Sequence, residues 1–265
     1  MTLFHLAAAV NDRMVLAQCL ARSPDVCSGA LDLAVYEHYQ TAGAAYNAAL
    51  DTAADAAYVL FVHQDVYLPT GTLTRLTDQL RSLDTIAPNW AVAGVIGGDA
   101  RRSLVGETWC SGHNRVLGAR CAYPAEVETL DEMLLIVRTA SGVRFDPKLP
   151  SFHLYGADII LTAQNAGMSA WVIDLPVVHH SRPVISLSGA YLAAYRYIQH
   201  KWRAELPVFN LVCPLEANML RYWITQLRLR RKHRARANRP DPEGDPVAIA
   251  RRIGYEGSAG LRAVT

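Results

Sequence analysis

The stretch Tyr58-Val59-Leu60-Phe61-Val62-His63-Gln64-Asp65 most constrains how this chain can fold. Five consecutive β-branched, aromatic or aliphatic residues do not alternate with polar ones. A strand of this kind is covered on both faces, as in the parallel sheets of α/β proteins. The run then turns polar at His63-Gln64-Asp65, where the carboxyl end of such a strand meets ligand in an open α/β sheet.

The rest of the chain alternates in the same sense. Strands are expected over Leu3–Val10, Leu31–Val35, Trp90–Ile96, 127–137 and Ala170–Leu175. Helices are expected over Met14–Ala21, from Gly43 to about Ala57, and over Thr72–Ser82. A further helix leads from Asp158 to Asn165, with Gly167 as its stop, and two more cover Ser186–Trp202 and Leu215–Arg236. This βαβ rhythm predicts a mostly parallel sheet flanked by helices, with a C-terminal helical extension. Residues 1–183 make the main domain, 184–237 the extension, and 238–265, rich in Pro, Gly and Arg, a poorly ordered tail. Residues 100–125, with Gly106, Gly112, Gly118 and Pro124, read as an irregular, substrate-facing insertion.

With 265 residues, 19% of them charged and a net charge of +2, the chain reads as an ordinary globular protein. Its five cysteines are odd in number and form no Cys-x-x-Cys pair, so reduced thiols and a cytoplasmic location are expected. There is no basic segment followed by an apolar core at the N-terminus and no run of about 20 apolar residues.

Four polar points fall at strand ends or helix starts: Asn11-Asp12, His63-Gln64-Asp65, Tyr155 to Asp158, and His179-His180. Parallel topology can bring them to one edge. Carboxylate with imidazole suits a divalent cation, Mn²⁺ or Mg²⁺, that keeps open positions for phosphate oxygens. Zinc held by His63, His179 and His180 is the alternative, although no His-Glu-x-x-His spacing accompanies them.

The order Asn11, Gly43-Ala44-Ala45-Tyr46-Asn47, Phe61-Val62-His63-Gln64-Asp65, a helix opening near Asp158, and His179-His180 resembles a glycosyltransferase of the GT-A fold, near family 2. The spelling His-Gln-Asp-Val, with Phe-His-Leu-Tyr-x-x-Asp downstream, is similar to a bacterial branch of such proteins. The resemblance spans residues 3–182 and implies a nucleotide-sugar donor. It places base and ribose near Ala9, Asn11 and Asp12, with Asn47 on the donor side and Asp32 either a further contact or a surface residue. Asp65 matches the second Asp of Asp-x-Asp and would hold the metal on the diphosphate, His63 takes the first Asp's place, and His179 or His180 matches a late metal-binding histidine. The family's base position falls on Tyr155-Gly156, and Gly156 cannot take a proton. Asp158, which reads equally as a helix-start carboxylate stabilised by the dipole, or His153 is then the base, or the protein binds nucleotide sugar without transferring it. Trp109 and the Asp131-Glu132 pair are the acceptor-side candidates. The implied reaction is inverting transfer to a glycan or lipid-linked acceptor in polysaccharide biosynthesis.

Arg228, Arg230, Arg231, Lys232, Arg234 and Arg236 crowd the last helix behind Leu215, Met219, Tyr222, Trp223 and Leu227. A basic amphipathic helix with aromatics predicts peripheral contact with the inner face of a membrane. No nucleic-acid-binding motif accompanies the charge, so nucleic acid is not an expected partner.

Overall fold

The computed structural model describes residues 3–237 and 244–256, with side chains to Lys232 and from Gly244. In chain order, β1 (Phe4–Val10) leads into the short helices α1 (Arg13–Gln18) and α2 (Pro24–Cys27), followed by β2 (Leu33–Glu37), α3 (Ala42–Thr52), β3 (Tyr58–Val62) and β4 (Val66–Tyr67). Then come α4 (Thr72–Ile86), β5 (Trp90–Gly94), β6 (Ile96–Gly98), β7 (Leu104–Cys110), β8 (Arg115–Ala119), β9 (Ala125–Val127), β10 (Thr129–Leu130) and β11 (Leu134–Arg138). The chain continues through α5 (Tyr155–Asn165), β12 (Ser169–Val172), β13 (Val178–His179), α6 (Gly189–Lys201), α7 (Leu220–Ala237) and α8 (Pro246–Arg252).

The α/β class holds. The central sheet has the order β2-β1-β3-β11-β5-β12-β9. Strands β2, β1, β3, β5 and β12 run one way; β11 and β9 oppose them. Because β11 is antiparallel, its first residues sit at the edge where β3 ends, with Leu134 opposite Val62.

Strand β3 is buried along its whole length, and its residues alternate between two cores. Val59 and Phe61 join Tyr46, Leu135, Ile159 and Tyr195 on one face. Leu60 and Val62 join Leu20, Leu76, Leu80 and Ile136 on the other. Helix α3 lies close because its inner residues are small. A Cβ on Gly43 would stand 2.3 Å from the carbonyl oxygen of Asp146, so only glycine fits that contact.

Residues 100–125 are more regular than their composition predicts. The run β7–β8 is an antiparallel hairpin joined to a second sheet, β10-β6-β7-β13-β4. The expectation of a poorly ordered tail fails for residues 244–256. There α8 packs Ile249 and Ala250, with Tyr255, onto Tyr67, Trp109 and Val178, and Glu256 accepts from the Tyr67 hydroxyl. Residues 238–243 and 257–265 lie outside the described residues. Helices α6 and α7 contribute Tyr191, Tyr195, Ile198 and Tyr222 to the first core, so the extension shares the body's packing.

Candidate active site

The carboxyl ends of β1, β2 and β3 open onto a cleft of about 560 Å³. Ala9, Val10, Asn11, the segment Tyr36–Gln40, Tyr46, Phe152 and His63-Gln64-Asp65 line it. Gln64 ties two of the strand ends together. Its Oε1 accepts from the backbone amides of Asn11 (3.0 Å) and Asp12 (3.1 Å), and its Nε2 donates to Asn11 Oδ1 at 2.6 Å. Tyr36 and Tyr39 lie with ring centroids 6.3 Å apart on one wall, an apolar surface on which a planar base can stack.

At one end of the cleft His63, Asp65 and His179 converge, with one ligand atom from each within 4.8 Å of the others. Asp65 Oδ1 lies 3.4 Å from His179 Nε2 and 3.9 Å from His63 Nδ1. Burial pushes the Asp65 carboxyl up, but His179 and His63 outweigh it and hold the group well below the usual carboxylate range. Burial lowers His179, and the charge and hydrogen bond of Asp65 more than reverse this. Burial lowers His63, keeping that imidazole neutral near pH 7.

The Tyr155 hydroxyl holds His63 from behind: it lies 2.7 Å from His63 Nε2 and reaches the Glu132 carbonyl at 3.1 Å. His63 Nδ1 faces Asp65. Two imidazoles and a carboxylate fit a divalent cation with positions open for oxygen ligands. Tyr155→Phe removes the outer partner and should lower metal affinity about 10–100-fold, as read by Mn²⁺ titration, with little change in fold.

Helix α5 begins beside this cluster. Leu154 precedes it in the left-handed region (φ 64°) and no side chain of the flanking turn caps it. The cap comes from the β10–β11 turn instead: Glu132 Oε1 accepts from Gly156 N at 3.1 Å. A Cβ on Gly156 would meet Glu132 Cγ at 2.9 Å, so the glycine makes room for this carboxylate. Burial drives the Glu132 pKa up to about 8, against the pull of the amides of Gly156, Leu154 and Tyr155. Sequence reasoning placed Glu132 only among acceptor-side candidates and missed the Tyr36–Gln40 wall. The sole signal for that wall was the run of aromatic and polar residues after β2.

Several expected site residues are engaged by other partners. Asp158 is 1% exposed and faces the core. It accepts from Lys201 Nζ at 2.8 and 3.0 Å and from Trp202 Nε1 at 2.7 Å, which removes it as a base. Asn47 brackets the Phe145 backbone, donating to its carbonyl (2.8 Å) and accepting from its amide (3.0 Å), so its amide is not on the donor side. Asp12 caps α1 through Met14 N and Val15 N. Asp32 is exposed at the amino end of β2, away from the cleft edge. Trp109 is buried against α8, with the Arg252 guanidinium 5.3 Å over its ring, and offers no face to an acceptor. Adjacent residues around β13 point opposite ways, so His179 joins Asp65 while His180 Nδ1 pairs with Ser111 Oγ at 3.0 Å. Asp131 lies in the β10–β11 turn rather than inside a strand, and accepts from Met133 N at 3.0 Å. His153 packs its ring 5.3 Å from that of Tyr191, and its Nε2 is 3.5 Å from Ser188 Oγ.

No family model matches the sequence. A curated relative from Fuscovulum blasticum, "ATP synthase subunits region ORF 6", is 34% identical over 131 residues, 48% of this chain and 53% of that protein. The chain thus spans about half the length of that relative. Among solved structures, GalNAc-T7 with UDP, GalNAc and Mn²⁺ aligns with 74% of this chain and 48% of its own (TM-score 0.48, 9% identity). S. aureus TarS 1-349 in complex with UDP-GlcNAc aligns with 76% and 66% (TM-score 0.47, 17% identity). A197 from STIV aligns with 65% and 82% (TM-score 0.41, 8% identity).

Proposed function

We propose that this chain is a glycosyltransferase of the GT-A kind, moving a sugar from a nucleoside-diphosphate donor to an acceptor hydroxyl with inversion. The convergence of His63, Asp65 and His179 at the end of the strand-edge cleft carries this reading. The base and ribose lie against Tyr36, Tyr39, Ala9 and Asn11, and the diphosphate reaches the His-Asp-His end. Two imidazoles with one carboxylate favour Mn²⁺ over Mg²⁺, which prefers an all-oxygen shell. When bound, the ion neutralises the departing diphosphate as a Lewis acid. Tyr155 holds His63 in place, and Gln64 holds the β1 end against the donor.

Glu132 takes the role that Gly156 cannot. It accepts the proton of the acceptor hydroxyl as the new bond to the anomeric carbon forms, while the bond from that carbon to the diphosphate oxygen breaks. Cleavage of the donor, with water as acceptor, should therefore rise with pH through about 8. Glu132→Gln keeps a cap for α5 and should lower turnover about 10²–10⁴-fold with donor affinity unchanged. If wild type binds donor but cleaves none at any pH, the second reading applies: a nucleotide-sugar-binding protein whose Glu132 serves only as a helix cap.

The same variant bears on stability. Folding raises this carboxyl from 4.5 to about 8. The cost of burying it charged is absent below about 4.5 and grows as pH rises through about 8, because the unfolded chain gives up the proton first. The urea midpoint of wild type should fall across that window, and that of Glu132→Gln should fall less.

A further inference from the structure

We infer that the outward face of α7 is a docking surface for an anionic lipid bilayer. The helix is anchored on its inner side. Tyr222 packs against Tyr195 (centroids 5.3 Å apart), and the Gln226 amide clasps Leu187, accepting from its amide at 2.8 Å and donating to its carbonyl at 3.2 Å. The opposite side is open: Leu220, Trp223 and Leu227 are 64%, 51% and 50% exposed. At 3.6 residues per turn these three and Arg231 fall within about 80° of arc. Arg228, Arg230, Arg231 and Lys232 are exposed beside them, and the helix contains no acidic residue. The side chains of Arg234 and Arg236 lie outside the described residues.

Apolar side chains followed by a cationic end match an interface in which Trp and Leu enter the acyl boundary while arginines meet phosphates. A second copy of the chain matches poorly. Antiparallel α7 helices would set arginines on Leu220 and Trp223, and parallel ones would set arginine against arginine. Among the described residues no helix is long and apolar enough to cross a membrane, so the contact is peripheral. The clasp on Leu187 sets the helix next to Ser188, which reaches His153 beside the Phe152 wall of the cleft. Resting on the transfer reading, this contact selects an acceptor hydroxyl presented at a lipid surface.

The test is co-sedimentation of the full chain with vesicles of phosphatidylcholine, with or without phosphatidylglycerol, at low and high salt. Binding is expected only to the anionic vesicles and should weaken with salt. Each surface arginine is worth about fivefold near such a surface, so Arg230→Ala with Arg231→Ala should weaken it about 25-fold. Leu220→Ser with Trp223→Ser and Leu227→Ser should abolish it. All these positions are exposed, so melting and nucleotide binding at the cleft should stay as in wild type, which separates failure here from failure of the donor site. Absence of wild-type binding to anionic vesicles overturns the inference. So does tRNA binding in place of vesicle binding, or a dimer in solution that the Leu/Trp variant dissociates.

Discussion

Asp158→Ala should cost about 3–5 kcal/mol of stability, a large fraction of the roughly 5–15 kcal/mol that holds an ordinary protein folded. The carboxylate is buried, and three bonds from Lys201 and Trp202 converge on it. Removing it strands the Trp202 N–H without a partner and leaves the Lys201 ammonium half-compensated. Lys201 keeps Asp146 at 2.6 Å, which sets the loss toward the lower end. Urea denaturation followed by tryptophan fluorescence measures it. A loss below about 1 kcal/mol, as for an exposed ion pair, together with abolished turnover, would return Asp158 to the reaction.

Asp65→Ala should have the opposite profile: a folded protein whose metal-dependent donor binding is gone. The carboxylate lies between two imidazoles, and its loss removes both an oxygen ligand and the negative charge that offsets theirs. The effect should exceed the roughly 10–100-fold that loss of an outer-shell partner costs. The variant also uncouples His179. Asp65 raises that imidazole above 6.5 and is itself lowered from 3.8, so in the metal-free protein the pair stabilises the fold fully between about pH 3.8 and 6.5. That contribution is lost as pH rises through the raised value. In Asp65→Ala this pH dependence should vanish from the melting temperature.

Strand β3 and its polar end were legible because a doubly buried strand leaves an unbroken apolar run, and the switch to His63-Gln64-Asp65 breaks it abruptly. The choice of His179 over His180 was not legible. It depends on which side of β13 faces Asp65, and hence on pairing with Val66. Asp158 misled for a related reason: its position at a helix start suggests chemistry, while its partners lie on and after α6, 43 and 44 residues away. In the family-2 resemblance, Gly156 stands where a carboxylate is expected. That Glu132, from 24 residues upstream, fills the space is a property of the β10–β11 turn. The order of 244–256 was hidden because a Pro- and Gly-rich stretch gains structure from the surface it covers. Here that surface is Tyr67 and Trp109, the second of which was assigned to the acceptor side.

The most direct measurement of the central claim is calorimetric titration of wild type and Asp65→Ala with nucleoside diphosphates and nucleotide sugars, each with Mn²⁺, Mg²⁺ or EDTA. The account predicts saturable binding of one diphosphate series that needs metal, is stronger with Mn²⁺ than with Mg²⁺, and is lost in Asp65→Ala. Absence of binding by wild type, or equal binding in EDTA and in the variant, would contradict it.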